Sequence, residues 1–396
     1  MAGITGLGTT FNLPNYHGEL FAVSPTDTPL FSAAGGLGQG GETSDTLVEW
    51  QKYDLRDPEI RARLEGADAP TAEERVRANV TNRLQIFQEA VSTSYTKQAA
   101  TERYATLAAG ASNPVTNEHA WQVMQSLKQI ARDVNYAFWN STRNDPADNT
   151  TARRMAGLLS VMTSNKIEDG GAAGSGTAAT DTVTATHSLA VDDKVVFTAV
   201  GAATAIKINR AYWVVNVTST TAFKVSATKG GAPITIGTAS GIGFYQMKVA
   251  NVVTTDNVNE LLQSVYDNGG ISQQGTATLF VPSGQKRAVT KAYRDESDGT
   301  ALLGGTRNVG GVAVDTIITD FGTLNVAIDR DLPADAIAVV SLEQIKPVFL
   351  NIPGKGVLFE EELAKTGASE KSQLYGEIGL AFGNEASHGV LRGLFA

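Results

Sequence analysis

Four places in the sequence hold residue types whose spacing could support chemistry. GLGQGG at Gly36–Gly41 has glycines at 36, 38 and 41, the G-x-G-x-x-G spacing that lets a backbone approach a pyrophosphate. That use needs a strand before the glycines and a helix after them. PLFSAAG upstream is a poor strand and ETSDTLVEW downstream opens one, so a glycine-rich arm is expected instead. His17, His119, His187 and His388 include no pair at metal-ligand spacing. Ser387-His388 with Glu385 has the composition of a hydrolytic triad, but strand neighbours point to opposite faces and no nucleophile-elbow motif occurs. A packing or interface histidine is therefore expected at 388. Glu360, Glu361 and Glu362 could bind a cation or work as acid and base, yet a solvated run or a subunit contact is the commoner use. Nothing assembles nucleophile, base and oxyanion donors. No catalytic, cofactor-binding or metal-ligating residue is assigned, and no cofactor is expected.

Composition narrows the classes further. A chain of 396 residues exceeds one ordinary core and implies two to four domains, and 42% apolar content excludes wholesale disorder. Without cysteine there is no disulfide, thiolate metal site or Cys nucleophile. The net charge of −9, from 41 acids and 32 bases, gives no general electrostatic pull on nucleic acid. MAGITGLGTTFNLPNYHGEL lacks the regions of a secretory signal, and no apolar run approaches the roughly 18 residues of a membrane span. A soluble protein made inside the cell, without a membrane partner, is expected.

The elements that would have to position any site do not look like an enzyme scaffold. Residues 1–45 scatter single apolar residues (Phe11, Leu13, Tyr16, Leu20, Phe21, Leu30, Phe31) among Gly, Thr, Ser and Pro, which fits an extended arm laid over a neighbouring surface. Residues 46–95 alternate in TLVEWQKYDLRD and again in RVRANVTNRLQIFQEAVSTSYT, with LEGADAPTAEE between, and read as one long two-stranded hairpin. Ten acids and seven bases intersperse residues 45–89. An isolated hairpin is marginal in water, so this one must lie on something else. From Asn113-Pro114, with Thr116 as an alternative cap, a helix is predicted whose apolar face is Ala120, Met124, Leu127, Ala131, Val134 and Phe138.

Residues 168–249 change character, with ten glycines and thirteen threonines. EDGGAAGSGTAAT reads as a flexible linker, followed by five short strands, DTVTATHSL, DKVVFTAV, RAYWVVNVTS, AFKVSAT and APITIG. They suggest a small sandwich or barrel with Val195, Phe197, Tyr212, Val214, Val217, Phe223 and Val225 as its core. Beyond it, TTDNVNELLQSVYDNGG predicts a capped helix buried through Val258, Leu261, Leu262, Val265 and Tyr266. TATLFVP predicts a buried strand, and a helix follows from Ser283 through Tyr293. VDTIITDF, TLNVAIDR and AIAVVSL predict strands, with Gly322 in a turn. KSQLYGEIGLAFGNEASHGVLRGL predicts one or two more.

In this order the elements resemble the Hong Kong 97 fold of tailed-phage major capsid proteins, an α+β fold. VEWQKYDLR, RVRANVTNRLQIFQEAVSTSYTKQA, RRMAGLL, LLQSVYDNGG with LFVPSGQKR, DFGTLNVAIDRDLP and LAKTGASEKSQLYGEIGLAFGNEASHGVLRGL look like one branch of it, from phages of Gram-positive hosts. The resemblance implies an N-terminal arm at 1–45, an E-loop hairpin at 46–95 and a P-domain with a spine helix at 96–167. It further implies an inserted β-rich domain at 168–249, an A-domain at 250–344 and returning P-domain strands at 345–396. The function implied is a structural subunit that self-assembles as hexamers and pentamers of an icosahedral phage head. The head encloses double-stranded DNA held non-specifically, with a portal and separate scaffolding or decoration proteins as further partners. Trp50, Lys52, Arg56, Arg61, Arg63, Glu73 and Glu74 of the hairpin, with Glu360 and Glu361, become candidate intersubunit contacts. Two features depart from parts of the family. No long charged helical leader precedes the arm, and Lys52 sits at the hairpin base while the tip LEGADAPTA has no lysine, so covalent cross-linking is not carried over. An encapsulin-like compartment shell is the nearest alternative. An adhesin or carbohydrate-binding module built on the β insertion is a more distant one, disfavoured by the missing signal.

Overall fold

The structure is a computed structural model that describes residues 26–56, 58–71, 74–99, 117–168, 173–271, 277–296, 316–319, 321–364 and 367–395. The chain divides into two compact units, one of residues 86–134 and 351–377 with the first 27, the other of residues 28–85, 135–350 and 378–396.

The first unit holds the start of the spine helix, Glu118–Asn140, and most of the strands Gln85–Ser94, Leu358–Glu362 and Ser369–Ala381. The side chain of Asn117 caps the helix by accepting from the amide of Ala120 at 3.1 Å. The start expected at Asn113-Pro114 lies outside the described residues. Glu118, in the first turn, meets Lys97 at 2.6 Å, and this bond outweighs the desolvation that opposes it, holding the carboxyl below its ordinary range. The predicted apolar face is fully buried toward the C-terminal end of the helix and uncovered toward its start. Ile130, Val134, Ala137, Phe138 and Trp139 are buried, whereas Ala120 is exposed and Met124 is 54% exposed. Ala120 and Phe138 lie about five whole turns apart on one face, so the difference is one of position along the helix and not of periodicity.

Leu358–Glu362 runs antiparallel to Ser369–Ala381, with Leu358 opposite Gly376 and Glu362 opposite Ser372. Gln85–Ser94 also pairs with Ser369–Ala381. Its alternation buries Phe87, Val91 and Thr93. The expected single hairpin over 46–95 is therefore two structures. Leu47–Tyr53 pairs with Arg77–Arg83, and the chain then leaves to join another sheet. Alternation shows that a segment is a strand but not which strand it pairs with.

The second unit is organised around a six-stranded sheet, in the order Thr316–Thr319, Gly322–Ile328, Ala277–Val281, Ile337–Ser341, Gly389–Arg392, Lys166–Glu168. Ala277–Val281 and Ile337–Ser341 are buried at every residue, as strands covered on both faces are. The helix Thr255–Asp267 packs on this core through Val258, Leu261, Leu262 and Val265. Thr254 and Asn257 cap it reciprocally, at 3.2 and 3.0 Å, with Asn in the place more often held by Glu. Tyr266, predicted on the buried face, is exposed and lies 5.5 Å from Phe321, ring to ring. A second helix, Ser283–Glu296, follows the buried strand as expected. Below the last turns of the spine helix, the buried Asp329 accepts from the Trp139 indole at 2.8 Å, from the Asn135 amide at 3.3 Å and from the Asp331 backbone at 2.9 Å.

The arm is partly docked on its own subunit. The short helix Pro29–Ala33 buries Leu30 and Phe31, with Phe31 edge-on to Phe138 at 5.7 Å and its amide donating to Asn135 at 3.0 Å. Gly41–Thr43 then runs parallel to Lys346–Leu350. Phe11, Leu13, Tyr16, Leu20 and Phe21 lie outside the described residues.

The glycine- and threonine-rich segment is a closed barrel of six strands, Ala173–Ala179, Thr182–Thr184, Lys194–Val200, Ala211–Ser219, Ala222–Ser226 and Ala239–Met247. Two expectations are corrected. AGSGTAA, read as linker, is a strand paired with Ala239–Met247. A side chain at Gly174 would run into the Phe244 ring, and one at Gly176 into the backbone of Thr184, so these glycines mark close approach and not flexibility. APITIG is not a strand, while ASGIGFYQM is one. The predicted core holds: Val195, Phe197, Tyr212, Val214, Phe223 and Val225 are buried and Val217 packs against them, joined by Ile242 and Phe244.

Candidate assembly surfaces

The hairpin is anchored at its base, and the described residues of its far end are exposed. Trp50 donates its indole N–H to the Gly383 carbonyl at 2.8 Å and meets the Phe382 ring edge-on at 4.8 Å. On the partner strand, buried Asn82 donates to the carbonyls of Leu380 at 2.7 Å and Ala156 at 3.1 Å and accepts from the Ala156 amide at 2.8 Å. Arg83 and Arg143 both reach Asp145 at 2.7 Å. Desolvation opposes them, but the two guanidinium groups hold the Asp145 carboxyl below its ordinary range. Lys52 contributes its charge at Glu385, whose carboxyl also accepts from Ser164 and Thr163. Together these overcome desolvation and lower its pKa.

Between Asp54 and Val76 the described chain has no strand and is exposed almost throughout. Its apolar residues are not hidden: Leu55 is 68%, Leu64 85% and Ile60 98% exposed. Arg56 and Arg61 both pair with Glu59, at 3.1 and 2.5 Å, and Arg63 reaches the Asp68 carbonyl at 3.5 Å. Glu74 is exposed, and Glu73 lies outside the described residues. The charges are thus partly matched within the loop, and the apolar residues are what it leaves uncovered.

The remaining candidates have partners within their own subunit. Glu360 and Glu361 sit in the strand Leu358–Glu362, not in a loose run. Glu361 is held below its ordinary range by Lys355 at 2.6 Å and Gln373 at 3.2 Å. Glu360 lies 3.9 Å from His119, whose ring also meets Thr93 at 3.3 Å and Ser372 at 3.0 Å. Gly35 and Gly36, at φ +107° and +56°, close a turn after a five-residue helix, and Gly40 packs against the Phe349 ring. The strand that follows the glycines excludes the dinucleotide reading.

His388 is fully buried, accepting from the Ser341 amide at 3.2 Å and bonded through Nε2 to the Phe382 carbonyl at 2.9 Å. Desolvation is the largest influence and lowers its pKa, so the folded subunit holds it neutral. The unfolded chain takes up a proton near pH ~6.5 that the folded one refuses, so stability falls as pH drops below that point. Urea unfolding of the subunit should lose stability, by at most about 1.4 kcal/mol per pH unit through this group, as pH falls below ~6.5. His388→Gln should be less stable at neutral pH but flatter across the window. An identical slope in both would remove His388 as the cause.

The profile of the SU10 major capsid protein family matches residues 3–395. The chain belongs to that family. It is the major capsid protein of a phage head, a structural shell subunit located in the virion and not an enzyme. The family is described by a phage, SU10, and not by a class of host. Solved capsids show the same Hong Kong 97-like α+β fold for this capsid protein. The Cyanophage A-1(L) capsid subunit is 10% identical, with 98% of both chains covered and a TM-score of 0.56. That of Cyanophage P-SCSP1u is 10% identical over 99% of this chain and 96% of the other, with a TM-score of 0.52. That of Myoviridae Phage XM1 is 10% identical over 98% and 100%, with a TM-score of 0.51. No curated protein matches the capsid protein in sequence. Capsid proteins work as homo-oligomeric shells, so the assembly surfaces are the functional site. Sequence reasoning placed Trp50 and Lys52 on the hairpin but missed their socket, Phe382–Glu385, more than three hundred residues away. It also passed over Leu55, Ile60 and Leu64, whose exposure no local pattern announces.

Proposed function

We propose that this capsid protein closes its shell by laying the far end of the hairpin on neighbouring subunits, in hexamers and pentamers around non-specifically held double-stranded DNA. The observation that carries this is the exposed apolar set Leu55, Ile60 and Leu64 on a loop with an anchored base. Scattered single apolar residues are normal on a surface, but three on one projecting segment call for cover. Arg56, Arg61, Arg63 and Glu74 flank that contact, Glu73 being a candidate by its place in the sequence, with Glu360 and Glu361 on a second surface. A portal and separate scaffolding or decoration proteins complete the particle. Electron micrographs of the purified protein should show closed shells or capsomers. Sedimentation as a compact monomer at high concentration would overturn the reading.

We further read residues 168–249 as a domain inserted between P-domain and A-domain. Ala173 pairs with Tyr245, so the barrel's two ends lie side by side and the barrel carries a core of its own. Replacing 170–247 with a short Gly-Ser linker should leave capsomers intact. The excised barrel should be soluble and β-rich by circular dichroism. Loss of all assembly together with an unfolded fragment would mean that these strands belong to the main core.

A further inference from the structure

The chain enters the barrel between Glu168 and Ala173 and leaves it between Met247 and Thr255. Two adjacent connections define an axis about which a module can rock. A third attachment, made by chain outside both connections, is needed to brace that axis.

Such an attachment is present at the barrel's foot. Lys194 opens one barrel strand and stands opposite Trp213 on the next and Met247 on the last. Its ammonium lies 4.4 Å from the centre of the Trp213 ring and 4.3 Å from that of Phe395. The two rings are 6.0 Å apart and inclined at 73°. Lys229 approaches Trp213 at 5.6 Å. Phe395 belongs to neither connection, yet its amide donates to the carbonyl of Asn251, on the exit segment, at 2.6 Å. On the same segment the Val249 amide donates to Asp193 of the barrel at 2.9 Å. Three residues before Phe395, the Arg392 guanidinium lies 3.9 Å from the centre of the Tyr245 ring while bonded to Asp335. Burial lowers the pKa of Lys194, in keeping with an ammonium drawn in among rings. A hydrogen bond of 3.3 Å from Asn209 to the Tyr136 hydroxyl is a further tie.

We propose that Lys194, held between Trp213 and Phe395, fixes the barrel's angle and makes it a rigid part of the shell wall instead of a tethered ornament. The three are positioning residues, and Phe395 is the one that reaches the barrel from outside it. The cation needs an aromatic face, so ring character and not bulk sets the strength of the hold.

Hydrogen exchange of the full chain tests this, in particles or, for a variant that fails to assemble, in the free subunit. Phe395→Leu keeps an apolar side chain but removes the ring. Exchange across residues 248–254 should quicken about tenfold while the strands Lys194–Val200 and Ala211–Ser219 stay as protected as before. Phe395→Tyr should match the parent, and Lys194→Met should shift exchange in the same direction as Phe395→Leu. Electron density for the barrel in Phe395→Leu particles should weaken relative to the six-stranded sheet. The proposal fails if Phe395→Leu exchanges like the parent, if Phe395→Tyr quickens as much as Phe395→Leu, or if barrel strands quicken in step with the exit segment.

Discussion

Asp335→Ala should destabilise the subunit by about 3–5 kcal/mol, the range found when one partner of a buried ion pair is removed. Asp335 is wholly buried and the Arg392 side chain is 6% exposed. The guanidinium bonds the carboxylate twice, at 2.8 and 3.0 Å, and the Gly393 amide adds a third bond at 3.3 Å. Removing the carboxylate leaves a buried cation over the Tyr245 ring without its counter-charge. Against a total stability of about 5–15 kcal/mol, that loss decides whether the chain folds at the temperature of the host. The midpoint of urea unfolding measures it. Asp335→Leu combined with Arg392→Met should recover most of the loss, because the net worth of a buried pair over apolar replacements is small. A loss below about 1 kcal/mol in the single variant would mean that the pair behaves like a surface one.

Replacing Leu55, Ile60 and Leu64 together with serine should abolish particle formation while leaving the subunit's circular dichroism and melting unchanged. Burying one such side chain contributes roughly 1.5–3 kcal/mol, so three per contact amount to several kcal/mol, repeated at every neighbour of the shell. Because these residues are so exposed in the isolated subunit, the fold has little to lose. The yield of sedimenting particles should fall more than about tenfold. Normal yield from the triple variant would show that the loop is not an assembly contact.

Legibility in the sequence followed the range of the interactions. The capped helix at Thr255 and the buried strands at Ala277 and Ile337 were readable because their signals are local: a cap, a stop, an unbroken apolar run. The barrel core was readable from alternation, but its first strand was not, since Gly174 and Gly176 look like linker until the Phe244 ring that excludes a side chain is in view. The spine helix had the right period, but full burial of its apolar residues begins only at Ile130, because periodicity does not say how far along a face a neighbour reaches. Phe31 on Phe138 and Trp50 on Phe382 lie far apart in sequence and left no local trace. For the candidate site, the sequence pointed to the hairpin's charges. The structure shifts the weight to its apolar residues, since Arg56 and Arg61 already have Glu59.

The sheet order has a consequence for synthesis on the ribosome. Lys166–Glu168 forms the sheet's edge, and its neighbour there is Gly389–Arg392, which also closes on Ile337–Ser341. An early strand therefore waits for one translated more than two hundred residues later, about 10–45 seconds at ordinary elongation rates. The barrel's strands all lie between 173 and 247, so each has its pairing partner translated long before that. A product released early by a nonsense codon or a stalled ribosome would carry all the barrel strands and an open sheet. It would be unable to take a place in the wall. The last strand is thus a mark of completeness: a chain cut short before Gly389 lacks the strand that joins Lys166–Glu168 to its sheet.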